Sequence, residues 1–516
     1  MNVYLRNNQG FKWHKSKGVS VKGYAWLEDD SYLTGKEFCE YVHSIENIEE
    51  INKNLNGCYS CVVESESKTL VISDQTRSFP LFYAEESSGL LVSDDANFLR
   101  SKLMAEEIDK TSVLEFSQTG YVTGSHTLIK NIKQLQAAEI LEFSNTGELD
   151  KQKKDILNIH RDFYCETEIK LLERMDSVYQ SVFSKLIKSL NDKTVVVPLS
   201  GGYDSRLIVV MLKRLGYEKV ICFTYGASDN KESKISKLTA DALGYEWFFV
   251  PYTKVMWDHC YESKNFRNYE RNASNLTSVA LLQDWPAVQY LKANKLVPDD
   301  AVFIPGHTGD FIAGGHIPKF LFHKETLTRN EIVQCIYKTH YGLIRRSEKY
   351  LSMNFSSRLN SLLTNKNKFT RDEAVDEFER WNWKERQAKF IINSTRVYEW
   401  FGYQWRLPLW DKKIVNIWSK IDTEKRFRRS FYKKYDNYIA NKMSSKLPAI
   451  TGNNIEYNKI YKIINKLKSI YNQDDNLGIS SSKLEFFIYR LKMKALGKAN
   501  INSYLAIQYL KRHFNQ

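Results

Sequence analysis

The chain has 516 residues, of which 42% are hydrophobic and 26% charged, with seven cysteines and a formal net charge of +14. This length exceeds what one hydrophobic core usually organises, and the composition is typical of a folded chain, so we expect two domains. The odd number of cysteines argues against a disulfide framework. The chain has no apolar run of about 18 residues, as a membrane span would need, and its N-terminus is too polar for a secretory signal. These features indicate a cytoplasmic protein.

Short β-strands are predicted over residues 55–145, where apolar runs alternate with polar turns. The expected strands are Cys58–Val63, Thr69–Ser73, Leu81–Ala84 and Leu90–Ser93. Cys58 and Cys61 form a single Cys-x-x-Cys pair. Because no second pair or nearby histidine accompanies it, a place on a buried strand is favoured over metal or redox chemistry. This part of the chain is expected to form a mostly antiparallel domain.

The chain then changes to an alternation of helices and strands. Apolar side chains at a spacing of three or four from Ile169 to Leu186 predict an amphipathic helix, and we place a domain boundary just before it. Three apolar strands follow, at Thr194–Leu199, Val220–Thr224 and Trp247–Val250. The helices between them are expected at Ser205–Leu215 and Glu232–Leu243. This order is typical of a parallel sheet with crossover helices, and such sheets bind nucleotides at the carboxyl ends of their strands.

A glycine-containing loop, Ser200-Gly201-Gly202-Tyr203-Asp204-Ser205, joins the first of these strands to its helix. Its two glycines let the backbone approach a ligand, and the N–H groups at the helix N-terminus attract an anion. Asp204 would repel phosphate directly, so its useful role is to hold a magnesium ion that bridges phosphates. An ordinary strand-to-helix turn capped by Asp204 is the alternative interpretation of these residues.

After residue 320 the pattern is largely helical, and helices are expected near Ile460–Ile470 and Leu484–Leu496. Residues 411–516 hold 22 Lys and Arg but only 8 Asp and Glu, so the net positive charge lies wholly in this last part. A basic surface attracts acidic polymers or membrane surfaces. Its basic and aromatic residues are not grouped as in a nucleic-acid motif, which favours a solvated helical face and no nucleic-acid partner.

The loop resembles the pyrophosphatase loop of the N-type ATP pyrophosphatases, and its surroundings resemble the asparagine synthetase family. Further segments similar to that family's motifs occur in the family's order. They are Ser73–Tyr83 with Leu91–Asp94 and Thr127–Leu135 in the glutaminase half, and Gly306–Gly315 and Arg406–Asp411 in the synthetase half. Together they span residues 55–450, and agreement over that length is more specific than any one motif.

The resemblance implies a two-domain fold of the α/β and α+β classes. Residues 1–160 would form an αββα sandwich of the N-terminal-nucleophile hydrolase type, as in class II glutaminase domains. Residues 161–450 would form the ATP-binding synthetase domain, with a parallel sheet of the adenine-nucleotide α-hydrolase type. Residues 451–516 would add a basic helical extension.

The resemblance also implies a reaction that uses ATP and Mg²⁺. A substrate carboxylate would attack the α-phosphorus of ATP, pyrophosphate would leave, and ammonia or an amine would attack the acyl-adenylate. Asp204 and Asp310 would share the metal ions. The nucleotide-binding residues implied are Leu199, Ser200, Gly201, Gly202, Asp204, Ser205, Phe223 and Gly306. Further catalytic candidates are His307, a partner acid at Glu348, and a late lysine at Lys442 or Lys446.

The sequence departs from the family pattern at several positions. Asn2 stands where the family's glutaminase has its nucleophilic cysteine, so we expect no glutamine hydrolysis, as in the β-lactam synthetases. Phe311 and Gln404 replace two carboxylates, which argues against aspartate as the substrate. His307 replaces an acidic residue and, with an unperturbed pKa of about 6.5, would deprotonate an incoming ammonium group, or else cap the loop or contact the ribose.

The sequence therefore predicts an ATP-dependent amide ligase without its own glutaminase, which joins a small-molecule or saccharide carboxylate to an amine donor. A polysaccharide or secondary-metabolite pathway fits the basic C-terminal region by analogy. One alternative is a non-catalytic relative that binds nucleotide as a scaffold or regulator. Another is a tRNA-modifying pyrophosphatase, against which the sandwich domain argues. Homo-oligomerisation is compatible with the sequence.

Overall fold

The computed structural model describes residues 2–47, 50–86, 89–154, 162–228, 230–344, 346–443, 447–448 and 501–514. Within them, an N-terminal sandwich of mostly antiparallel strands precedes a half built around a parallel sheet. The architecture changes between Lys154, which ends a strand, and Glu168, which begins a long helix. In the part of the chain that is described, no helix is both long and apolar enough to cross a membrane.

The strands and helices have the following bounds. The strands are β1 Asn2–Tyr4, β2 His14–Ser16, β3 Val19–Trp26, β4 Tyr32–Thr34, β5 Asn56–Glu64, β6 Lys68–Ser73, β7 Phe82–Glu86, β8 Gly89–Ser93, β9 Ile132–Gln134, β10 Glu139–Ser144, β11 Leu149–Lys154, β12 Val195–Pro198, β13 Val220–Gly226, β14 Glu246–Pro251, β15 Val302–Phe303, β16 Thr326–Thr328, β17 Lys368–Thr370 and β18 Gln404–Trp405. The α-helices are α1 Gly35–Ser44, α2 Ile51–Asn54, α3 Ala96–Lys102, α4 Lys110–Thr119, α5 Glu168–Leu190, α6 Tyr203–Arg214, α7 Lys231–Leu243, α8 Lys254–Glu262, α9 Lys264–Ser274, α10 Trp285–Ala293, α11 Gly309–Ile312, α12 Arg329–His340, α13 Glu348–Leu362, α14 Arg371–Asn382, α15 Arg396–Trp400, α16 Lys412–Ser419, α17 Thr423–Arg426, α18 Ser430–Ala440 and α19 Ile501–Phe514. A π-helix, Trp383–Ile391, continues α14.

The N-terminal sandwich has two sheets. The larger has the strand order β11-β10-β6-β5-β3-β2 with β4 beside β3, and the smaller has the order β1-β8-β7-β9. Side chains from both sheets, such as Val71 and Val92, form the core between them. Because α1 packs on the larger sheet and α3 on the smaller, the αββα sandwich implied by the resemblance is confirmed.

The cysteine pair lies on β5, and both thiols are buried. Cys58 belongs to the core that faces α5, whereas Cys61 belongs to the core under α1. Residues three apart on a strand point to opposite faces of a sheet, so the two thiols cannot share a metal ion. The expected structural place on a buried strand is confirmed.

The second half contains a five-stranded sheet with the order β14-β13-β12-β15-β18, and every pairing in it is parallel. Three valines, Val195–Val197, make β12 its buried central strand, because β-branched residues pack well between helices on both faces. The predicted parallel sheet is confirmed. Two-residue strands such as β15 and β18 carry no periodicity, which is why the sequence did not predict them.

The C-terminal helix α19 contacts both halves. The ring of Tyr509 lies 5.6 Å from that of Phe116 in the sandwich, and Arg512 forms an ion pair with Glu270 in α9. This helix is therefore packed against the protein, in contrast to the solvated face expected for the basic region. The helices expected near Ile460–Ile470 and Leu484–Leu496 lie outside the described residues.

The segment from Arg406 to Asp411 joins the two halves. The guanidinium of Arg406 lies 4.3 Å from the ring centre of Tyr24 and donates to the Tyr32 hydroxyl at 2.8 Å. Asp411 accepts a hydrogen bond from the Asn56 side-chain amide at 2.9 Å. A segment similar to a synthetase motif therefore positions the sandwich against the parallel-sheet half.

Candidate functional site

A cleft of about 380 Å³ lies at the carboxyl ends of β12, β13 and β15. β12 has β13 on one side and β15 on the other, so the connections leave this point in opposite directions. Open α/β sheets bind ligands at such a switch point. The loops after these strands line the cleft, together with residues from later in the chain that end at Arg429.

The loop after β12 forms one wall of the cleft. The N–H of Ser200 donates to the Ser205 hydroxyl at 3.0 Å, and the N–H of Gly202 donates to the Ser200 hydroxyl at 3.1 Å. Helix α6 begins at Tyr203, so its first N–H groups have no intrahelical partner and face an incoming ligand. This geometry is suited to an anion.

Asp204 and Asp310 lie against each other in this wall. One Asp204 oxygen, Oδ2, accepts the N–H of Asp310 at 3.1 Å. The other, Oδ1, is buried and has no hydrogen-bond partner among the described residues. Burial and the neighbouring Asp310 carboxylate raise the pKa of Asp204. A bound cation would remove this unfavourable pairing of charges.

Two glycines allow this contact. A Cβ at Gly309 would lie 2.6 Å from Oδ1 of Asp204, and a Cβ at Gly306 would lie 2.7 Å from the backbone nitrogen of Ser205. Both distances are too short for non-bonded carbon. The loop after β15 can therefore approach the N-terminus of α6 only with glycine at these two positions.

His316 supports the Asp310 carboxylate. Its Nε2 lies 3.0 Å from Oδ2 of Asp310, and the side-chain amides of Asn382 and Gln387 lie 3.4 and 3.3 Å from its Nδ1. The amides donate to Nδ1, so Nε2 carries the proton and donates to Asp310. Burial opposes ionisation of Asp310, but the hydrogen bond from His316 and the positive charge of Arg429 outweigh it and lower the pKa of Asp310. Histidine and amide partners of this kind orient metal-binding side chains.

The carboxylate pair fits Mg²⁺. Within the described ranges, no group of three or more His, Cys, Asp and Glu side chains could hold a metal ion without other ligands. Mg²⁺ in phosphate sites needs only one or two carboxylates and takes its other ligands from phosphate oxygens and water. The buried, unpartnered Oδ1 of Asp204 is the atom that such an ion would satisfy.

His307 lines the cleft between two acidic groups. Its Nε2 lies 3.0 Å from the Ser394 hydroxyl, and burial lowers its pKa to about 4 despite the opposing charges of Asp284 and Asp310. His307 is therefore neutral at pH 7. A group with such a low pKa holds a proton taken from ammonium poorly, so a hydrogen-bonding role fits the geometry better than a general base.

Two of the implied nucleotide-binding residues lie beneath the cleft. Leu199 and Phe223 are buried, and the N–H of Leu199 donates to the carbonyl oxygen of Phe223 at 2.9 Å. The side chain of Tyr225, two residues further along β13, lines the cleft instead. Leu199 directly follows β12, whereas Phe223 lies in the middle of β13.

The structure corrects two catalytic candidates. Glu348 begins α13 on the surface, where its side chain is 57% exposed and pairs with Lys338 at 3.3 Å. Lys442 pairs with Asp176 at 3.0 Å, outside the cleft. Neither residue lines the cleft. Lys446 lies outside the described residues.

Two residues that the sequence did not suggest line the cleft, Asp284 and Arg429. Asp284 directly precedes α10, which has Pro286 in its first turn, and this helix-start signal could have drawn attention to the position. For Arg429 no comparable sequence signal exists, because it lies among several basic residues before α18.

The two positions that lack the family's carboxylates contribute to packing. Phe311 is buried, and its ring lies 6.1 Å from that of Trp410. The side-chain oxygen of Gln404 accepts a hydrogen bond from Arg406 at 3.2 Å. Both side chains thus serve contacts within the protein.

Known protein families account for this arrangement. The sequence profile described as asparagine synthase matches residues 178–443, which is just over half of the chain. The chain belongs to the asparagine synthase family. A second profile, described as a glutamine amidotransferase domain, matches residues 42–153, within the sandwich of this asparagine synthase family member.

Individual proteins are similar to this asparagine synthase family member over shorter stretches. A tRNA-specific 2-thiouridylase from Enterococcus faecalis is 33% identical over 82 residues, which are 14% of this chain and 22% of that protein. The NH3-dependent NAD synthetase of Campylobacter jejuni is 16% identical, with 31% of this chain and 62% of that chain covered and a TM-score of 0.20. A glutamine phosphoribosylpyrophosphate amidotransferase from B. subtilis is 8% identical, with 60% and 65% covered and a TM-score of 0.19. The chain spans less than two thirds of each of these three proteins.

Proposed function

We propose that this chain is an ATP-dependent carbon–nitrogen ligase that activates a substrate carboxylate as an acyl-adenylate and releases AMP and pyrophosphate. Membership in the asparagine synthase family supports the general class. The observation that carries the proposal is the Asp204 carboxylate, which has an unpartnered buried oxygen and lies beside Asp310 at the N-terminus of α6. Such a site is suited to the magnesium salt of a triphosphate.

The proposed reaction has two steps. First, an oxygen of the substrate carboxylate forms a bond to the α-phosphorus of ATP, and pyrophosphate leaves with the electron pair of the bond that breaks. Second, the nitrogen of ammonia or an amine attacks the acyl carbon, AMP leaves with the electron pair of the carbon–oxygen bond, and the nitrogen gives up one proton. The free N–H groups of α6 would bind phosphate oxygens in both steps.

Asp204 and Asp310 would hold Mg²⁺. When bound, this ion would neutralise the charge that develops on the phosphates. His316 would keep the Asp310 carboxylate in place through its 3.0 Å hydrogen bond. His307, which is neutral, would accept or donate a hydrogen bond to the ribose or the reacting groups.

Asp284 is our candidate for binding the nitrogen donor. It is a third carboxylate that lines the cleft, besides Asp204 and Asp310, and its negative charge acts on His307. An amine in its ammonium form is attracted to a carboxylate, whereas the triphosphate and the acid substrate are repelled by it. We therefore propose that ammonia or a primary amine enters beside Asp284.

We propose that the sandwich does not hydrolyse glutamine. Position 2 is Asn2, which is exposed at the start of β1. Burial raises the pKa of the Cys39, Cys58 and Cys61 thiols, which suppresses the nucleophilic thiolate. The nitrogen would then come from free ammonia or an amine, and the acid would be a small-molecule or saccharide carboxylate of a polysaccharide or secondary-metabolite pathway.

Release of AMP and pyrophosphate tests the proposal. The purified chain is incubated with ATP, MgCl₂, NH₄Cl and a panel of aspartate, uronic acids and amino acids. We expect AMP and pyrophosphate in equal amounts with at least one acid, and a loss of about 100-fold or more in Asp204→Ala. Glu348→Gln, a change at an exposed surface position, is the control and should retain activity.

Two outcomes would contradict the ligase. If Asp204→Ala released AMP as fast as the unaltered chain, the assigned site would be wrong. If Mg²⁺–ATP bound, as measured by calorimetry, but no acid in the panel released AMP, the non-catalytic nucleotide-binding alternative would be favoured.

A further inference from the structure

The turn before α18 has an unusual backbone. Arg428 and Arg429 both adopt left-handed conformations, with φ values of 56° and 61°. Residues other than glycine rarely adopt this conformation, and two in succession need strong support from their surroundings. Conformations of this kind cluster at functional sites, where they direct a side chain to a particular place.

The support comes from the loop that contains Asp310. A Cβ at Gly314 would lie 2.7 Å from the carbonyl oxygen of Arg426, and a Cβ at Gly315 would lie 3.0 Å from the Arg429 side chain. Arg426 is buried and donates to the carbonyl oxygen of Ile312 at 3.0 Å. The glycine pair that ends the second acidic motif thus admits the turn against the metal-binding loop.

The turn directs Arg429 into the cleft. Its guanidinium lies 5.7 Å from the ring centre of Tyr203, the first residue of α6. It lines the same cleft as Asp204 and Asp310. Among the described residues that line the cleft, it is the only lysine or arginine.

Lys442, one of the two lysines suggested by the sequence, has a different environment. Lys442 pairs with Asp176, and the same carboxylate accepts from Arg214 at 2.6 and 2.9 Å. Asp176 lies on α5, and its partner Arg214 is the last residue of α6, at the opposite end of that helix from the loop. Lys442 is thus part of a structural ion-pair group that ties α18 to α5 and α6.

We propose that Arg429 is the phosphate-binding cation of this site and holds the pyrophosphate group of ATP before and after it leaves. This inference rests on the proposed function. A guanidinium fits phosphate because it donates two parallel hydrogen bonds to a pair of oxygens. Arg429 and the metal ligands would hold the two ends of the same polyphosphate, so the charge on the leaving group is neutralised where it develops.

Calorimetric binding of Mg²⁺–pyrophosphate and Mg²⁺–α,β-methylene-ATP tests the proposal without the acid substrate. We expect Arg429→Met to raise the Kd for pyrophosphate by about tenfold or more, which is the usual effect of losing hydrogen bonds to a charged group. Arg429→Lys should retain part of the affinity, because it keeps the charge but not the paired donors. The matched control, Lys442→Met, should change Kd by less than about threefold, because Lys442 lies outside the cleft.

The outcomes separate this inference from the proposed function. If the unaltered chain binds both ligands and Arg429→Met binds them equally well, or if Lys442→Met loses binding instead, Arg429 is not the phosphate-binding residue. If the unaltered chain binds neither ligand, the ligase assignment itself is wrong. Circular dichroism shows whether Arg429→Met folds. If it does not fold, Arg429→Lys is used in its place. The inference is then contradicted if Arg429→Lys binds both ligands as tightly as the unaltered chain does.

Discussion

Asp284 owes its position to two tyrosines. The Tyr398 hydroxyl donates to Oδ2 at 2.6 Å, and the Tyr225 hydroxyl donates to Oδ1. Burial, followed by the charge of Asp284, raises the pKa of both tyrosines well above the usual value, so both remain protonated donors. The carboxylate is thereby held in place in the lining of the cleft, with lone pairs left for a cationic ligand.

Asp284→Asn should affect only the second half of the proposed reaction. With an acid found by AMP release, we expect ATP–pyrophosphate exchange within about threefold of the unaltered chain, whereas KM for ammonium should rise about tenfold or more. Initial rates at varied NH₄Cl and constant ionic strength measure this. An unchanged KM, or a loss of ATP affinity that would indicate a ribose contact, would contradict the assignment.

At the level of elements, the site is formed by two strand-to-helix loops in contact. The loop after β12 supplies free N–H groups, and the loop after β15 supplies the second carboxylate. Their contact depends on the absence of a Cβ at Gly306 and Gly309. The π-helix Trp383–Ile391 supports this contact, because its Gln387 donates to His316. Helices of this type are rare and are often found at functional sites.

Gly309→Ala should weaken nucleotide binding. The added methyl group would lie 2.6 Å from Oδ1 of Asp204 and would displace that carboxylate. Overpacking of this kind costs about 1–3 kcal/mol, which corresponds to a rise of about 5-fold to 150-fold in the Kd for Mg²⁺–ATP. Calorimetry measures it. Gly342→Ala is the matched control, since Gly342 is exposed and a Cβ there meets nothing within 4 Å. Similar Kd values for the two variants would contradict the proposed role of the contact between the loops.

At the scale of the whole molecule, buried charges join the two halves. The ammonium group of Lys389 on the π-helix donates to the carbonyl oxygen of Gly124 in the sandwich at 2.6 Å and pairs with Glu385 at 2.6 Å. Glu385 also accepts the N–H of Gly124 at 2.9 Å. Removal of the sandwich would leave the buried ammonium group of Lys389 and the carboxylate of Glu385 without these backbone partners, so we expect the half that contains the cleft to lose stability.

Acid should destabilise the protein partly through His340. Burial, with the charge of Arg386, lowers its pKa well below 6.5, while the unfolded chain protonates it near pH 6.5. Below that pH the unfolded state binds one more proton, so stability falls by up to about 1.4 kcal/mol per pH unit. His340→Phe keeps the packing on Trp381 and removes this effect. Urea midpoints from pH 7.5 to 5 should therefore fall less steeply in the variant, and parallel curves would contradict the assignment.

Much of the fold could be predicted because its signals are local. The apolar run of β12, the turn chemistry of the loop from Ser200 to Ser205 and the amphipathic pattern of α5 each lie within one short stretch of chain. The short strands β15 and β18 and the π-helix have no such local signal, because packing against neighbouring elements defines them.

The sequence by itself determined the family and the position of the loop from Ser200 to Ser205, because the order and spacing of motifs can be read along the chain without coordinates. Only the tertiary structure decided which distant side chains reach that loop. Arg429 and Asp284 line the cleft, whereas Glu348 and Lys442 do not. The physical reason is that Arg429 lies more than 200 positions after Asp204, and how α11, α17 and α18 pack decides whether it reaches the same cleft. Spacing along the chain does not encode that packing.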